Sequence, residues 1–166
     1  MSWLQMIRVA IITVSDKGSK GQREDISGKT IKEIVEAEDW EVVDYQIVPD
    51  EKDEITELLN QLADKNQADL ILTTGGTGFA TRDHTPEATL NSIDKEVPGI
   101  AEKMRSGTSK YTDLSYLSRA RSGIRKYSLI VNLPGSPKAV SQCLKEVIGI
   151  IPHGIKVLQG EITEHE

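Results

Sequence analysis

Short β-branched apolar runs that recur between amphipathic stretches constrain this chain more than any other feature. Ile7 to Val14 (IRVAIITV), Trp40 to Val48, Asp69 to Thr74 (DLILTT) and Ser128 to Leu133 (SLIVNL) read as strands, each closed by turn residues. Helical patterns lie between them. One helix is expected from about Ser27 to Glu38, with Ile31, Ile34 and Val35 on one face. Another carries Ile55, Leu58, Leu59 and Leu62 at i, i+3, i+4 and i+7. Thr85-Pro86-Glu87 offers an N-cap, a proline at the first helical position and an early acid. Pro98 opens a further helix with Gly107 just past its end. Ser136-Pro137 caps a helix with the stripe Val140, Cys143, Leu144 and Val147, and a last helix runs from Pro152 to about Leu158. Strands alternating with helices of this length build βαβ units, right-handed crossovers and a mostly parallel sheet, so the fold class is α/β. In Trp40 to Val48, the residues Val43, Tyr45 and Ile47 alternate onto one face. Lys17 to Glu24 reads as a mobile loop, 161–166 as a fraying tail, and Thr108 to Arg125 takes no clear element.

Size and charge narrow the function classes. The 166 residues suit one domain at about 150 residues per domain, here 1–166 with a core of about 7–158. Twenty basic against 26 acidic side chains leave a net charge of −6, which argues against nucleic acid or an anionic membrane as partner. The single cysteine, Cys143, excludes an internal disulfide and a Cys-rich metal site, and its place in an apolar stripe marks it as a small core residue. No apolar run reaches the roughly 20 residues that span a bilayer. Met1 to Met6 lacks a basic start and Arg8 interrupts the apolar run behind it, so a cytosolic address is expected.

In open α/β sheets, ligands bind beyond the carboxyl ends of the strands. Those ends carry Ser15 and Asp16, then Asp50, then Gly75-Gly76-Thr77-Gly78 with Asp83 a few residues on, then Pro134-Gly135-Ser136. The glycine cluster can present backbone N–H groups to an anion at close range, although a plain strand-to-helix turn explains it about as well. It is neither a Walker A loop nor a dinucleotide fingerprint. Asp50 stands where an N-cap belongs, Asp83 follows Arg82 in what reads as a solvated turn, and Asp16 suits an Asx-turn. Together they say more. Carboxylates beside an anion nest repel phosphate unless a divalent cation intervenes, and Mg²⁺ takes one or two carboxylates plus phosphate oxygens. Asp50 and Asp83 with the glycine turn therefore predict a Mg²⁺–phosphate ligand such as a nucleoside triphosphate. Lys17, Lys20 and Arg23 are candidates to draw such a ligand in. His84, His153 and His165 have no ligand spacing.

Several blocks in order then resemble the Mog/MoaB family of molybdenum-cofactor biosynthesis. They are Thr74-Gly75-Gly76-Thr77-Gly78-Phe79, Arg82-Asp83 with Thr85-Pro86-Glu87-Ala88-Thr89, Pro49-Asp50-Glu51, Leu117-Ser118-Arg119, Asn132-Leu133-Pro134-Gly135-Ser136, and Ser15-Asp16 with Asp25-x-Ser27-Gly28. The resemblance runs from about Ile7 to Leu158 and is strongest to the molybdopterin adenylyltransferase branch, which includes the gephyrin G domain. It implies a three-layer α/β/α fold and a homotrimer. The implied reaction is transfer of AMP from Mg-ATP to the terminal phosphate of molybdopterin, with transient contact to a molybdate insertase. It casts Asp50 and Asp83 as catalytic and Mg²⁺-associated, directly or through water. Ser15, Asp16, Thr74, Gly75, Gly76, Thr77, Gly78, Pro134, Gly135 and Ser136 become nucleotide or phosphate contacts, and Thr108 and Ser118 pterin-side contacts. His84 departs from the small apolar residue expected after the aspartate. A carrier that binds molybdopterin without chemistry is the alternative. Exposed apolar residues around Ile100, Tyr111, Leu114 and Tyr116 suit either an interface or the core.

Overall fold

Four parallel strands, beginning at one edge, make up most of one six-stranded sheet, ordered β2-β1-β3-β6-β5-β4 in this computed structural model, which describes residues 6–162. The strands are β1 (Arg8–Val14), β2 (Glu41–Val48), β3 (Leu70–Thr74), β4 (Lys95–Glu96), β5 (Ser122–Arg125) and β6 (Ser128–Leu133). β1 pairs in parallel with both β2 and β3, and β3 with β6. β5 turns back antiparallel onto β6, and β4 antiparallel onto β5.

The two-residue period of the strands divides their side chains between two cores. Val9, Ile11, Leu70, Leu72 and Val131 pack with Ile31 of α2 (Ile26–Ala37), Met104 of α5 (Pro98–Thr108), Leu144 of α6 (Pro137–Val147) and Ile155 of α7 (Ile151–Leu158). Ala10, Ile12, Ile71 and Ile130 pack with Ile55, Leu59 and Leu62 of α3 (Lys52–Asp64) and Ala88 of α4 (Thr85–Ser92). The three-layer α/β/α architecture follows directly, and each fully buried Ile or Leu contributes about 1.5–3 kcal/mol to it. Cys143 lies in the first core, where burial pushes its thiol up to about 11. Ile100 also belongs to that core, whereas Tyr111, Leu114 and Tyr116 are exposed. Among the described residues no helix is long and apolar enough to cross a membrane.

Several local expectations change. Lys17 to Glu24 is not wholly loop: α1 (Asp16–Ser19) forms one turn because the Ser15 Oγ accepts from the Gly18 N–H at 3.0 Å. Val43 is an extra residue opposite the Val9–Ala10 step. This bulge breaks the Val43–Tyr45–Ile47 alternation, turning Tyr45 toward the first core and leaving Val43 exposed. Gly107 lies inside α5, at a point where a Cβ would overlap the Glu146 carboxylate of α6. His84, not Thr85, is the cap position of α4. The segment 108–125 contributes a 3-10 turn, Asp113–Leu117, capped by Thr112, and then β5. Residues 163–166 of the expected tail, and His165 with them, lie outside the described residues.

The strand order positions the site. β2 and β3 flank β1 on opposite sides, so the connections leave the carboxyl end of the sheet in diverging directions and open a crevice there.

Candidate active site

A cleft of about 810 Å³ occupies that crevice. Ser15, Asp16, Asp50, Thr74, Gly75 and Gly76 line it from the ends of β1, β2 and β3, and Gly135 and Ser136 from the end of β6. Lys17 and Arg23 line its rim, while Lys20 does not. Two helices start at this cleft. Asp25 caps α2 by accepting from the Gly28 N–H at 2.9 Å, and Ser136 caps α6 by accepting from the Ala139 N–H at 3.2 Å. The Ser27 hydroxyl donates to the Gly135 carbonyl at 2.6 Å and ties the two starts together. Both helices direct the positive ends of their dipoles to this region.

Asp50 is not the helix cap that its spacing suggested. Glu51 holds the cap position of α3 without a side-chain cap bond. Asp50 is anchored instead through its N–H, which donates to Asp16 Oδ1 at 3.0 Å. Asp16 is in turn gripped by Arg82, whose Nε reaches Asp16 Oδ2 at 2.7 Å and whose Nη2 reaches Glu51 at 2.8 Å. The guanidinium and then the Asp50 N–H hold the Asp16 carboxyl down to about 2. Asp50 moves the other way. Burial first, then the Asp16 and Asp83 carboxylates, push it up to about 6. Its Oδ1 is buried with no hydrogen-bond partner. An ionised carboxylate oxygen in that state is a demand for a cation.

The glycine turn is built around the two aspartates. Gly75 and Gly76 have φ of 95° and 71°, open to glycine at little cost. A Cβ on Gly76 would lie 2.9 Å from Asp50 Oδ1, and one on Gly78 would lie 2.9 Å from Asp83 Oδ2. The N–H groups of Gly76, Thr77 and Gly78 make no turn or loop hydrogen bond to backbone. Two further bonds fix the turn: Thr85 Oγ1 to Gly75 O at 2.9 Å, and Thr74 Oγ1 to Pro134 O at 2.6 Å. Consecutive left-handed residues with free N–H groups make an anion-binding concavity.

The expected site residues fall on two sides of this turn. Thr77, Gly78, Thr108, Ser118 and Pro134 line a second chamber of about 400 Å³, floored by Met104 and Cys143 and edged by Arg105 and Gln142. Thr108 spends its hydroxyl on the Met104 carbonyl at 2.6 Å, so it shapes the wall more than it offers a donor. Asp83 lines neither chamber. It stands at the turn between them, with Oδ2 accepting from the Ala80 N–H at 2.9 Å. The sequence assigns no part in the site to Arg82, Thr85, Arg105 or Arg119. Arg82, Thr85 and Arg119 stand in the Arg82-Asp83, Thr85-Pro86-Glu87 and Leu117-Ser118-Arg119 blocks, the only signals that point to them; Arg105 has none. Among the described residues, no group of three or more His, Cys, Asp or Glu side chains is placed to hold a metal alone.

Comparison with known proteins places the chain in a family. The family described as "Probable molybdopterin binding domain" matches residues 10–153. The chain belongs to this family. Within and around the molybdopterin-binding family, the Helicobacter pylori J99 protein named molybdopterin adenylyltransferase is 43% identical over 163 residues, covering 97% of this chain and 93% of that protein. The Escherichia coli K12 protein of the same name is 35% identical over 170 residues, 98% of this chain and 80% of that protein. The crystal structure of the Thermus thermophilus molybdopterin biosynthesis enzyme MoaB is 46% identical and superposes with a TM-score of 0.88, covering 93% of this chain and 98% of that one.

Proposed function

We propose that the chain is a molybdopterin adenylyltransferase, joining AMP from ATP to the terminal phosphate of molybdopterin and releasing pyrophosphate. The observation that carries this reading is the pair of chambers meeting at one glycine turn, with the buried, unpartnered Asp50 Oδ1 at the junction. A transfer between two bulky substrates needs two compartments and one shared reacting point. The curated relatives bear this activity in their names.

Mg²⁺ fits the site, because Asp50 Oδ1 lacks a partner and the field of Asp83 reaches it. Asp50, with Asp83, would hold the ion, directly or through water; bound there, it supplies positive charge that neutralises the reacting phosphates. The protein's own part is placement. The free Gly76 N–H and the starts of α2 and α6 receive phosphate oxygens in the first cleft, while Thr77 and Gly78 line the second chamber. The Asp16–Arg82 pair fixes the backbone of Asp50. Ser118 and the apolar wall of the second chamber seat the pterin. A molybdopterin phosphate oxygen then attacks the α-phosphorus of ATP, and the bond to the pyrophosphate oxygen breaks, with that group leaving as pyrophosphate. In-line positioning and charge neutralisation provide most of the rate in such transfers.

One assay tests the reading. Pyrophosphate release from Mg-ATP should appear only when molybdopterin is present, and EDTA should abolish it. Tight molybdopterin binding with no Mg-ATP dependence and no pyrophosphate would instead identify a carrier. ATP binding without competition or stimulation by molybdopterin would sink both.

The same reading includes a homotrimer, a cytoplasmic address and passing contact with a molybdate insertase. The exposed Tyr111, Leu114 and Tyr116 support association of copies. Sedimentation at micromolar concentration should return three times the chain mass of 18.3 kDa; a monomer across that range would remove the trimer from the proposal.

A further inference from the structure

Arg119 adjoins the second chamber in the chain and lines neither chamber. Its neighbours Ser118 and Ala120 line the second chamber. Its guanidinium reaches away from them, into the turn that carries Asp83. Nε donates to the Gly78 carbonyl at 2.8 Å and Nη2 to the Asp83 carbonyl at 2.9 Å, while Nη1 pairs with the Glu87 carboxylate of α4. The Arg119 N–H donates to the Thr77 carbonyl at 2.9 Å. One residue thus holds both ends of the segment 77–83 and the first turn of the helix behind it. The other hydrogen bonds of Asp83, among the described residues, go to Ala80 inside the same turn.

Charge alone does not explain this arrangement. The ion pair with Glu87 is partly exposed, and such pairs contribute little. What is particular is the planar fork, which satisfies two carbonyls and a carboxylate at once in a way that a lysine ammonium cannot.

We propose that Arg119 is a positioning residue that relays occupancy of the second chamber to Asp83 and the glycine turn. A ligand seated against Ser118 and Ala120 sets the chain at Arg119; the fork then fixes the Gly78 and Asp83 carbonyls. Arg119 acts through Asp83 and touches no substrate. The catalytic half of this proposal rests on the adenylyl-transfer reading above; the mechanical half does not.

The test is Arg119→Lys, which keeps the charge and removes the fork. We expect kcat for pyrophosphate release to fall about 100-fold while KM for molybdopterin stays within about threefold. In NMR exchange measurements on the full chain, the Ala80 and Asp83 amides should exchange at least about tenfold faster, with β3 and β6 amides unchanged. Molybdopterin should slow exchange at Ala80 and Asp83 in the wild type and leave it unaltered in the variant. Combining Arg119→Lys with Asp83→Asn should cost no more than Asp83→Asn alone. Glu87→Gln frees one arm of the fork and should give the same pattern at about three- to tenfold, which keeps the question answerable if the lysine variant does not fold. Unchanged exchange at Ala80 and Asp83, or faster exchange spread over the whole sheet, would overturn the relay. So would altered exchange with unchanged kcat. A wild-type protein that released no pyrophosphate would remove the adenylyl-transfer reading, while the exchange measurements would still decide the relay.

Discussion

Asp50→Asn should sharply reduce pyrophosphate release and, in the same protein, stabilise the metal-free fold. The two effects have one origin. Asp50 is held in a partly buried site where its Oδ1 has no partner and two other carboxylates press on it. Its carboxyl titrates near 6 in the fold, above its ordinary value of 3.8. Below about pH 4 the group is neutral in the folded and unfolded chains alike, and the penalty is absent. As pH rises from 4 through 6, the unfolded chain loses its proton first, and the folded protein loses stability relative to it. Above pH 6 the penalty is complete. The open side of the cleft screens much of it, leaving on the order of 1 kcal/mol, or about 2–4 °C in Tm. The amide variant escapes this cost, so in EDTA at pH 7.5 it should melt above the wild type, and at pH 4 the two should coincide. Millimolar Mg²⁺ should narrow the gap by stabilising the wild type alone. The activity loss should reach about 10²–10³-fold, the range seen when one preorganised electrostatic group is removed. Molybdopterin binding should survive, because Asp50 does not line the second chamber. A variant that kept its turnover, or melted below the wild type at pH 7.5, would show that Asp50 serves the fold and not the reaction.

Gly75→Ala should damage both stability and turnover. The residue sits at a φ of 95°, and an added Cβ would overlap the Val14 carbonyl oxygen. That oxygen is backbone at the end of β1 and cannot rotate away. The conformation alone costs an alanine about 1–3 kcal/mol, or roughly 3–10 °C in Tm, before the overlap is relieved. Relief requires the ends of β1 and β3 to part, and these are the walls of the first cleft. A shift of this kind near the reacting point should lower pyrophosphate release about 100-fold. Gly99→Ala is the control: nothing lies within 4 Å of its added Cβ. As a helical position it should gain about 0.5–1 kcal/mol with turnover intact. Equal melting of Gly75→Ala and the wild type would mean that the turn yields freely.

Whatever depends on local period is legible in the sequence. Three of the four parallel strands, β1, β3 and β6, are legible because both of their faces are buried, so their apolar runs are nearly unbroken; β2, at the edge, is legible only as an alternating stretch. The carboxyl-end rule brings Asp16, Asp50, the glycine turn and Ser136 to one edge, and the cleft is lined by Asp16, Asp50, Gly75, Gly76 and Ser136, though not by Thr77 or Gly78. What escaped depends on distant partners. Residue type and spacing point to Asp50 as the cap, and its N–H contact with Asp16, distant in sequence, accompanies a helix whose cap position falls one residue later, at Glu51. The bulge at Val43 is set by pairing with β1, which no alternation within β2 can report. β4 and β5 have two and four residues, too few for a periodic signal. Arg119 meets Gly78 across 41 positions of chain. Nor did the pattern foretell that the glycine turn would divide the candidate residues into two groups.

The two borders of the sheet differ from its interior in how they meet another strand. On one side β2 carries its extra residue at Val43, which twists the border and spoils the spacing of its free N–H and C=O groups. On the other, β4 is two residues long and presents Lys95 and Glu96, both exposed. Short, charged or kinked borders are how β proteins avoid templating one another into extended cross-strand aggregates. Neither border favours edge-to-edge pairing between copies, so at high concentration the folded protein should not grow into fibrils.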